Sequence, residues 1–406
     1  MLSVDAKEIL DHAVKNSLPY ESTVKILREP VFSGDALTVF CIGKAAIPMA
    51  RAAADVLGAR IKIGLAVTKY GHTGDFSSPY FEVMEAAHPI SDENSVKAAQ
   101  KALKIADGLT ANDTVLVLLS GGGSALFEES LVSLEDWQTI NRKLLSRSAP
   151  IEEMNTLRRR FSLVKGGKFA ARCYPAKVIT VALSDVLSND KSVIAGGITV
   201  KDGTSDDDVR ALAQKYLYDV PESLLSHLYT RQELPIHDGG YYFAGDIHTL
   251  VDGACEKAAQ LGYTPHLMTS GLRGEARSAA VDILDGLDFC PGKHAYIYGG
   301  ETTVTVTGSG LGGRNQELAL SAAIVLRSSH GILFASLGSD GTDGPTDAAG
   351  GMVDGETYEK IRAEGLSPED ELENNNAYFA LKAADALLMT GATGTNVNDI
   401  TLILIE

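Results

Sequence analysis

Two cations stand where the backbone already offers a partial positive charge. Lys44 follows the apolar run LTVFCIG (37–43) and opens a helical segment; Arg314 opens another directly after the glycine-rich loop GSGLGG (308–313). A helix N-terminus carries about half a positive charge, which disfavours a cation there by roughly 0.3–1 kcal/mol. The placement makes sense where an anion completes the site, because backbone N–H groups and the cation then converge on it. The bland alternative is a cation swung back onto a nearby carboxylate. With 36 basic and 53 acidic residues the net charge is −17, so an anion site must be built locally, against the overall field.

Other residues point to phosphate chemistry. Ser120, Gly121, Gly122, Gly123 and Ser124 follow the run TVLVLLS (114–120) and offer bare N–H groups and two hydroxyls, the makings of a phosphate cradle. The loop lacks the spacing and lysine of a Walker A motif, and a plain tight turn would read the same. The stretch 155–168 packs five basic residues into its last eleven positions, with Arg158, Ser162 and Lys165 on one face at helical spacing. It could hold a carboxylate or phosphates, or be a solvated basic face. Asp185 follows KVITVALS (177–184), and SDGTDGPTDAAGG (339–351) sets Asp340, Asp343 and Asp347 among glycines. Mg²⁺ bridging a nucleotide needs only one or two carboxylates; Asx-turns are the alternative use of such aspartates.

One motif pulls toward a dinucleotide. Residues 308–313 match GxGxxG, although the acid at Asp340 lies 27 residues past the last glycine rather than about 20. His88, before Pro89, and His248 read as structural, with no zinc-like pairing and no GxSxG nucleophile elbow.

The elements that must position these residues follow from the apolar pattern. At 406 residues the chain exceeds a single core, so two domains are expected. The runs 37–43, 61–68, 114–120 and 177–184 are continuously apolar and alternate with helical segments such as 44–58 and 91–107, which predicts a doubly wound parallel sheet covered on both faces. In the second half 241–246, 294–301, 302–308 and 332–340 read as strands. HAYIYGGETTVTVTG reads there as a hairpin turning at Gly299–Gly300, hence a mixed sheet. The acidic stretch 202–208, a helix to about 229 and LPIHDGG (234–240) form the expected connection, dividing the chain at 1–235 and 236–406. Cys41, Cys173, Cys255 and Cys290 lie far apart and read as reduced thiols of a cytoplasmic protein. No stretch approaches eighteen apolar residues, and no basic stripe offers itself to nucleic acid or an anionic membrane.

Taken together, IGKAA (42–46), LLSGGGSAL (118–126), NTLRRRFSLVKGGK (155–168), SDVLSNDKSVIAGG (184–197), GGETTVTVTGSGLGGRNQELAL (299–320), SDGTDGPTDAAGG (339–351) and TGATGTNVNDI (390–400) resemble, in order and over nearly the whole chain, the glycerate kinases of the MOFRL type. That resemblance implies an N-terminal Rossmann-like domain, a C-terminal MOFRL domain and an active site in the cleft between them. It implies ATP- and divalent-metal-dependent phosphorylation of D-glycerate, many members giving 2-phosphoglycerate, by a monomer or homodimer. The family's lysine and arginine match Lys44 and Arg314. Loop 188–199 departs from the family pattern, and 188–190 carry no assigned role. The expected division of labour is then direct transfer. Lys44 and 120–124 hold ATP phosphates, Arg314 with Arg158 or Lys165 clamps glycerate, and Asp185 is base or Mg²⁺ ligand, with Asp340 and Asp343 as competing ligands. The alternatives are an NAD(P)H-dependent hydroxypyruvate reductase and a non-catalytic phosphosugar-binding module.

Overall fold

The computed structural model describes residues 2–32, 36–229, 235–287 and 291–406. It divides into two compact units: Pro19–Ser184 with Asn189–Ala244, and Met1–Leu18 with Asp185–Ser188 and Gly245–Glu406. The division expected at 235/236 thus shifts in two places. β6 (His237–Gly245) is an edge strand of the first unit's sheet, and the amphipathic helix Leu2–Asn16 packs on the second unit's helix Ile247–Gln260 and on its strands. The buried stripe Ala6, Ile9, Leu10, Ala13 and Val14 explains the second shift, because a helix settles where its apolar face is covered.

The first unit's sheet has the order β3-β2-β1-β4-β5-β6. β1 (Leu37–Ile42), β2 (Ile61–Lys69), β3 (Phe81–Ala86), β4 (Thr114–Leu119) and β5 (Lys177–Leu183) pair in parallel, as the continuous apolar runs predict. Every residue of β1 is buried, and burying one such aliphatic or aromatic side chain contributes about 1.5–3 kcal/mol. A separate helical core lies beyond the sheet, where Trp137, Leu144, Leu157 and Phe161 meet Val209 and Leu228.

The second unit's sheet is mixed, in the order β11-β10-β9-β12-β8-β7. β7 (Thr264–Leu272) runs parallel to β8 (His294–Gly300), while β12 (Asp399–Ile405) lies antiparallel between β8 and β9 (Ile332–Gly338). β10 (Gly350–Asp354) and β11 (Leu387–Leu388) close the edge. The expected hairpin at Gly299–Gly300 does not form. β8 takes β12 as its antiparallel partner, and 302–308 makes only an isolated bridge, Thr303 with Glu275. The polar Thr residues of that stretch have no second strand to pair with. Among the described residues no helix is long and apolar enough to cross a membrane, and Cys41, Cys173 and Cys255 are free; Cys290 lies outside the described residues.

Candidate active site

In the first unit the chemistry gathers at the carboxyl ends of β1 and β4, which pair in register to Ile42 and Leu119. The loops that follow are stitched together: Lys44 N donates to Gly121 O at 2.9 Å, and Ala45 N to Ser120 Oγ at 3.0 Å. Gly43 permits this approach, because its φ is +134° and a Cβ there would stand 2.2 Å from Ser120 Oγ. Lys44 is exposed, two residues ahead of the helix Ala46–Leu57. Its side chain lies along Gly122 and His88, since a Cβ on Gly122 would meet Lys44 Cγ at 3.0 Å and His88 Cδ2 at 3.1 Å. Among the described residues its ammonium forms no ion pair, and the N–H groups of Gly121, Gly122 and Ser124 take no backbone partner.

A cavity of about 320 Å³ opens beside this loop, lined among others by His88, Gly122, Ser124, Trp137, Asn141 and Arg158. Arg158 enters it from the helix Ile151–Phe161; its Nε donates to Asn141 Oδ1 at 2.6 Å, and it forms no ion pair among the described residues. Burial disfavours its charge, and the nearby Glu128 favours it. His88 is half-buried, and burial followed by the charges of Lys44 and Lys69 pushes its pKa down to about 4, so the ring is neutral at neutral pH.

The rest of the basic run is absorbed by protein. Arg159 pairs with Asp202 at 3.1 Å, and Arg160 with Asp206 at 2.7 Å. Lys165 is fully buried against the equally buried Glu128. It therefore leaves the set of substrate ligands: a lysine with no exposed surface and a dedicated carboxylate has nothing left for glycerate. The periodicity that put it on a face with Arg158 failed because the helix ends at Phe161.

The second unit's polar cluster sits at the carboxyl ends of β8 and β9 and the start of β12, where Asp399 lies in register with Gly300 and Gly338. Arg314 begins the helix Arg314–Val325 and is gripped by two acids. Its Nε and Nη2 bond Asp399 at 2.5 and 2.9 Å, and its Nη1 bonds Glu301 at 3.0 Å. Burial disfavours the guanidinium charge, but these carboxylates win and hold its pKa above the usual value. Burial lifts Asp399 to about 6 against the pull of Arg314. Neither Asp399 nor Glu301 stood out in the sequence, where each is one acid among many; only pairing β12 between β8 and β9 brings them to Arg314.

Asp343 is committed to protein through both oxygens, and Asp340 through one. Asp343 caps the Arg314 helix, accepting from Asn315 N at 3.2 Å and Gln316 N at 2.8 Å. A Cβ on Gly313 would stand 2.3 Å from its Cγ, so glycine there is what admits the carboxylate. Asp340 closes an Asx-turn on Thr342 N at 2.9 Å. Asp185 is placed elsewhere in the cluster, its main-chain oxygen accepting from Asn398 Nδ2 at 3.0 Å. The same Nδ2 reaches Glu301 Oε2 at 3.2 Å. Among the described residues no group of three or more His, Cys, Asp or Glu is arranged to hold a metal ion.

The GxGxxG loop is closed by protein too. Thr307 N and Gly308 N donate to Asn375 Oδ1 at 2.8 and 2.9 Å, Ser309 N to Asn374 Oδ1 at 3.0 Å, and Leu311 N to Asn376 Oδ1 at 2.9 Å. Gly310 N donates to Asn374 O at 2.9 Å. These N–H groups have no capacity left for a pyrophosphate, and the glycines serve close packing, with a Gly308 Cβ only 2.3 Å from Asn374 O.

A parallel α/β unit with an anion-seeking strand-end cavity, joined to a mixed-sheet unit, matches known proteins over its whole length. Residues 5–229 match the family described as "Domain of unknown function (DUF4147)", and residues 294–399 match the MOFRL family. The chain is 44% identical to the D-glycerate 2-kinase of Thermotoga maritima, covering 98% of this chain and 97% of that protein. It is 38% identical to the glycerate 2-kinase of Pyrococcus horikoshii, covering 100% and 98%. A crystal structure of glycerate kinase from Thermotoga maritima, 44% identical, superposes with a TM-score of 0.93 over 100% of this chain and 99% of that one. The chain belongs to the MOFRL-type glycerate kinase family.

Proposed function

We propose that this chain transfers the γ-phosphoryl group of ATP to D-glycerate, giving ADP and 2-phosphoglycerate. One observation carries the reading. In a family that includes proteins named for this activity, and in a chain of net charge −17, Lys44 and the N–H groups of Gly121, Gly122 and Ser124 stand at adjoining strand ends beside the cavity that Arg158 enters, and neither cation forms an ion pair among the described residues. Phosphoryl transfer asks a protein mainly for positioning and charge stabilisation, and this is what the set supplies. Lys44 and the loop take phosphate oxygens, and Arg158 takes an anionic end of a substrate. His88, neutral at working pH, offers a hydrogen bond without adding charge.

Arg314 is expected to act more weakly than Lys44, because contact with phosphate requires it to yield part of its grip on Asp399 and Glu301. Asp185 is proposed as base for the acceptor hydroxyl or as metal ligand. Since one or two carboxylates suffice for Mg²⁺ bound with a nucleotide, Asp185 is this chain's candidate to hold it, and an ion bound there would supply positive charge. The reductase alternative rests on the GxGxxG match, and the consumed N–H groups of that loop count against it.

The test is incubation with D-glycerate, ATP and Mg²⁺, with ADP followed by chromatography and the product placed by ³¹P NMR. ADP with 2-phosphoglycerate is the expected result. NADH oxidation on hydroxypyruvate without ADP formation overturns the reading, and 3-phosphoglycerate overturns its regiochemistry.

A further inference from the structure

Of the five basic residues from Arg158 to Lys168, two form no ion pair among the described residues: Lys168, whose ammonium is spent on the main-chain oxygens of Arg159 and Ser162, and Arg158, whose partner explains its state. Arg159 and Arg160 are answered by Asp202 and Asp206, and Lys165 answers Glu128. Arg158 feels the field of the nearby Glu128, but no carboxylate is bonded to it among the described residues. Its Nε is held by a neutral acceptor, Asn141 Oδ1, at 2.6 Å, and Asn141 is itself oriented by Nδ2 donating to Trp137 O at 2.8 Å. Asn141 is buried. An amide here fixes the guanidinium without neutralising it and leaves both Nη groups for a ligand. A planar fork of that kind suits a carboxylate, which it can bind through two parallel hydrogen bonds. The cavity, about 320 Å³, sits at the small end of the roughly 300–1,000 Å³ range of ligand sites.

We propose that Asn141 is a positioning residue that presents Arg158 as a carboxylate receptor, so that this cavity takes the three-carbon hydroxy acid and not the nucleotide. The inference rests on the glycerate kinase reading and adds to it where the acceptor lies and which uncharged residue sets its affinity. Asn141→Asp tests it sharply, because one atom exchange turns a neutral holder into a counterion.

The chain carries its own reporter, since its single tryptophan, Trp137, lines the same cavity. Tryptophan fluorescence of the full chain is titrated with D-glycerate, with ATP and with inorganic phosphate. Wild type is expected to show a saturable response to D-glycerate alone, with the midpoint raised about tenfold or more in Asn141→Asp and in Arg158→Gln. In the kinase assay the loss should fall on KM for glycerate more than on kcat or on KM for ATP. Circular dichroism checks folding, and Arg158→Gln carries the test where Asn141→Asp does not fold. A response to ATP or phosphate but not to glycerate overturns the inference, as does wild-type glycerate affinity in both variants, even with kinase activity intact. Saturable glycerate binding without any turnover overturns the kinase reading and leaves the carboxylate receptor standing.

Discussion

The two units each carry a glycine-rich loop leading into a helix with a cation nearby, and they use the same device in opposite ways. In 120–124 the loop's N–H groups at Gly121, Gly122 and Ser124 take no backbone partner among the described residues, and the neighbouring cations, Lys44 and Arg158, lack counterions there. In the other loop the N–H groups of 308–311 are consumed by Asn374, Asn375 and Asn376, the helix is capped by Asp343, and Arg314 is held by Asp399 and Glu301. One unit leaves its positive potential for a ligand; the other satisfies it from within. A glycine pattern reports that something approaches the backbone closely, and in the second unit that something is protein.

The contrast depends on Lys165 cancelling Glu128, so breaking that pair should have the largest effect. Lys165→Met leaves a buried carboxylate unpaired, and Glu128→Gln leaves a buried ammonium. Either is expected to lower unfolding free energy by about 3–5 kcal/mol, whereas the double variant should recover most of it. Urea denaturation of the three variants measures this, and an additive double variant would show that the pair is not coupled. Next in size, Lys44→Ala removes a charge aimed at the transferring group and should raise the barrier by about 2.7–4 kcal/mol, a loss of about 10²–10³ in kcat. Arg314→Ala should cost less. Equal losses would mean that Arg314 releases its carboxylates freely, erasing the distinction drawn between the two cations.

Much of the first unit was legible because a strand buried on both faces writes itself as a continuous apolar run; β1, β2, β4 and β5 were read within two residues of their ends. β12 went unread although TLILI is as apolar, since nothing local announces which strands it will join. Lys44 and Arg158 were singled out by position and charge. Asn141, Glu301 and Asp399 were not, because their importance lies in a partner far along the chain. Conversely, Asp340 and Asp343 read as metal ligands by type, and only geometry showed both oxygens of Asp343 and one of Asp340 turned onto backbone N–H groups.

The closed state of the second loop can be opened. Asn375 Oδ1 accepts from two backbone N–H groups and its Nδ2 donates to Glu317 at 3.0 Å, all in a buried setting. Asn375→Leu should cost about 1–3 kcal/mol of stability, the penalty of leaving buried polar groups unmet. Thermal unfolding reads it, and no change would mean that the loop's N–H groups find other partners.

The smallest effect separates the units by the sign of their pH dependence. Asp399 is lifted by burial to about 6, above an ordinary carboxyl near about 4, so the folded state binds a proton that the unfolded chain has already released. Its contribution is fully present below the ordinary value and is lost as pH rises through 6, on the order of 1 kcal/mol. His88 has the opposite sign. Pushed down to about 4 by burial and by Lys44 and Lys69, it disfavours the folded state as the unfolded imidazole takes up its proton below about 6.5, and stability recovers as pH rises. Asp399→Asn should therefore remove a downward slope from the unfolding midpoint between pH 5 and 7, and His88→Gln an upward one. Matching slopes in both variants would dissolve the electrostatic contrast, since the two strand ends would then present the same field to a proton and, by the same physics, to a phosphate.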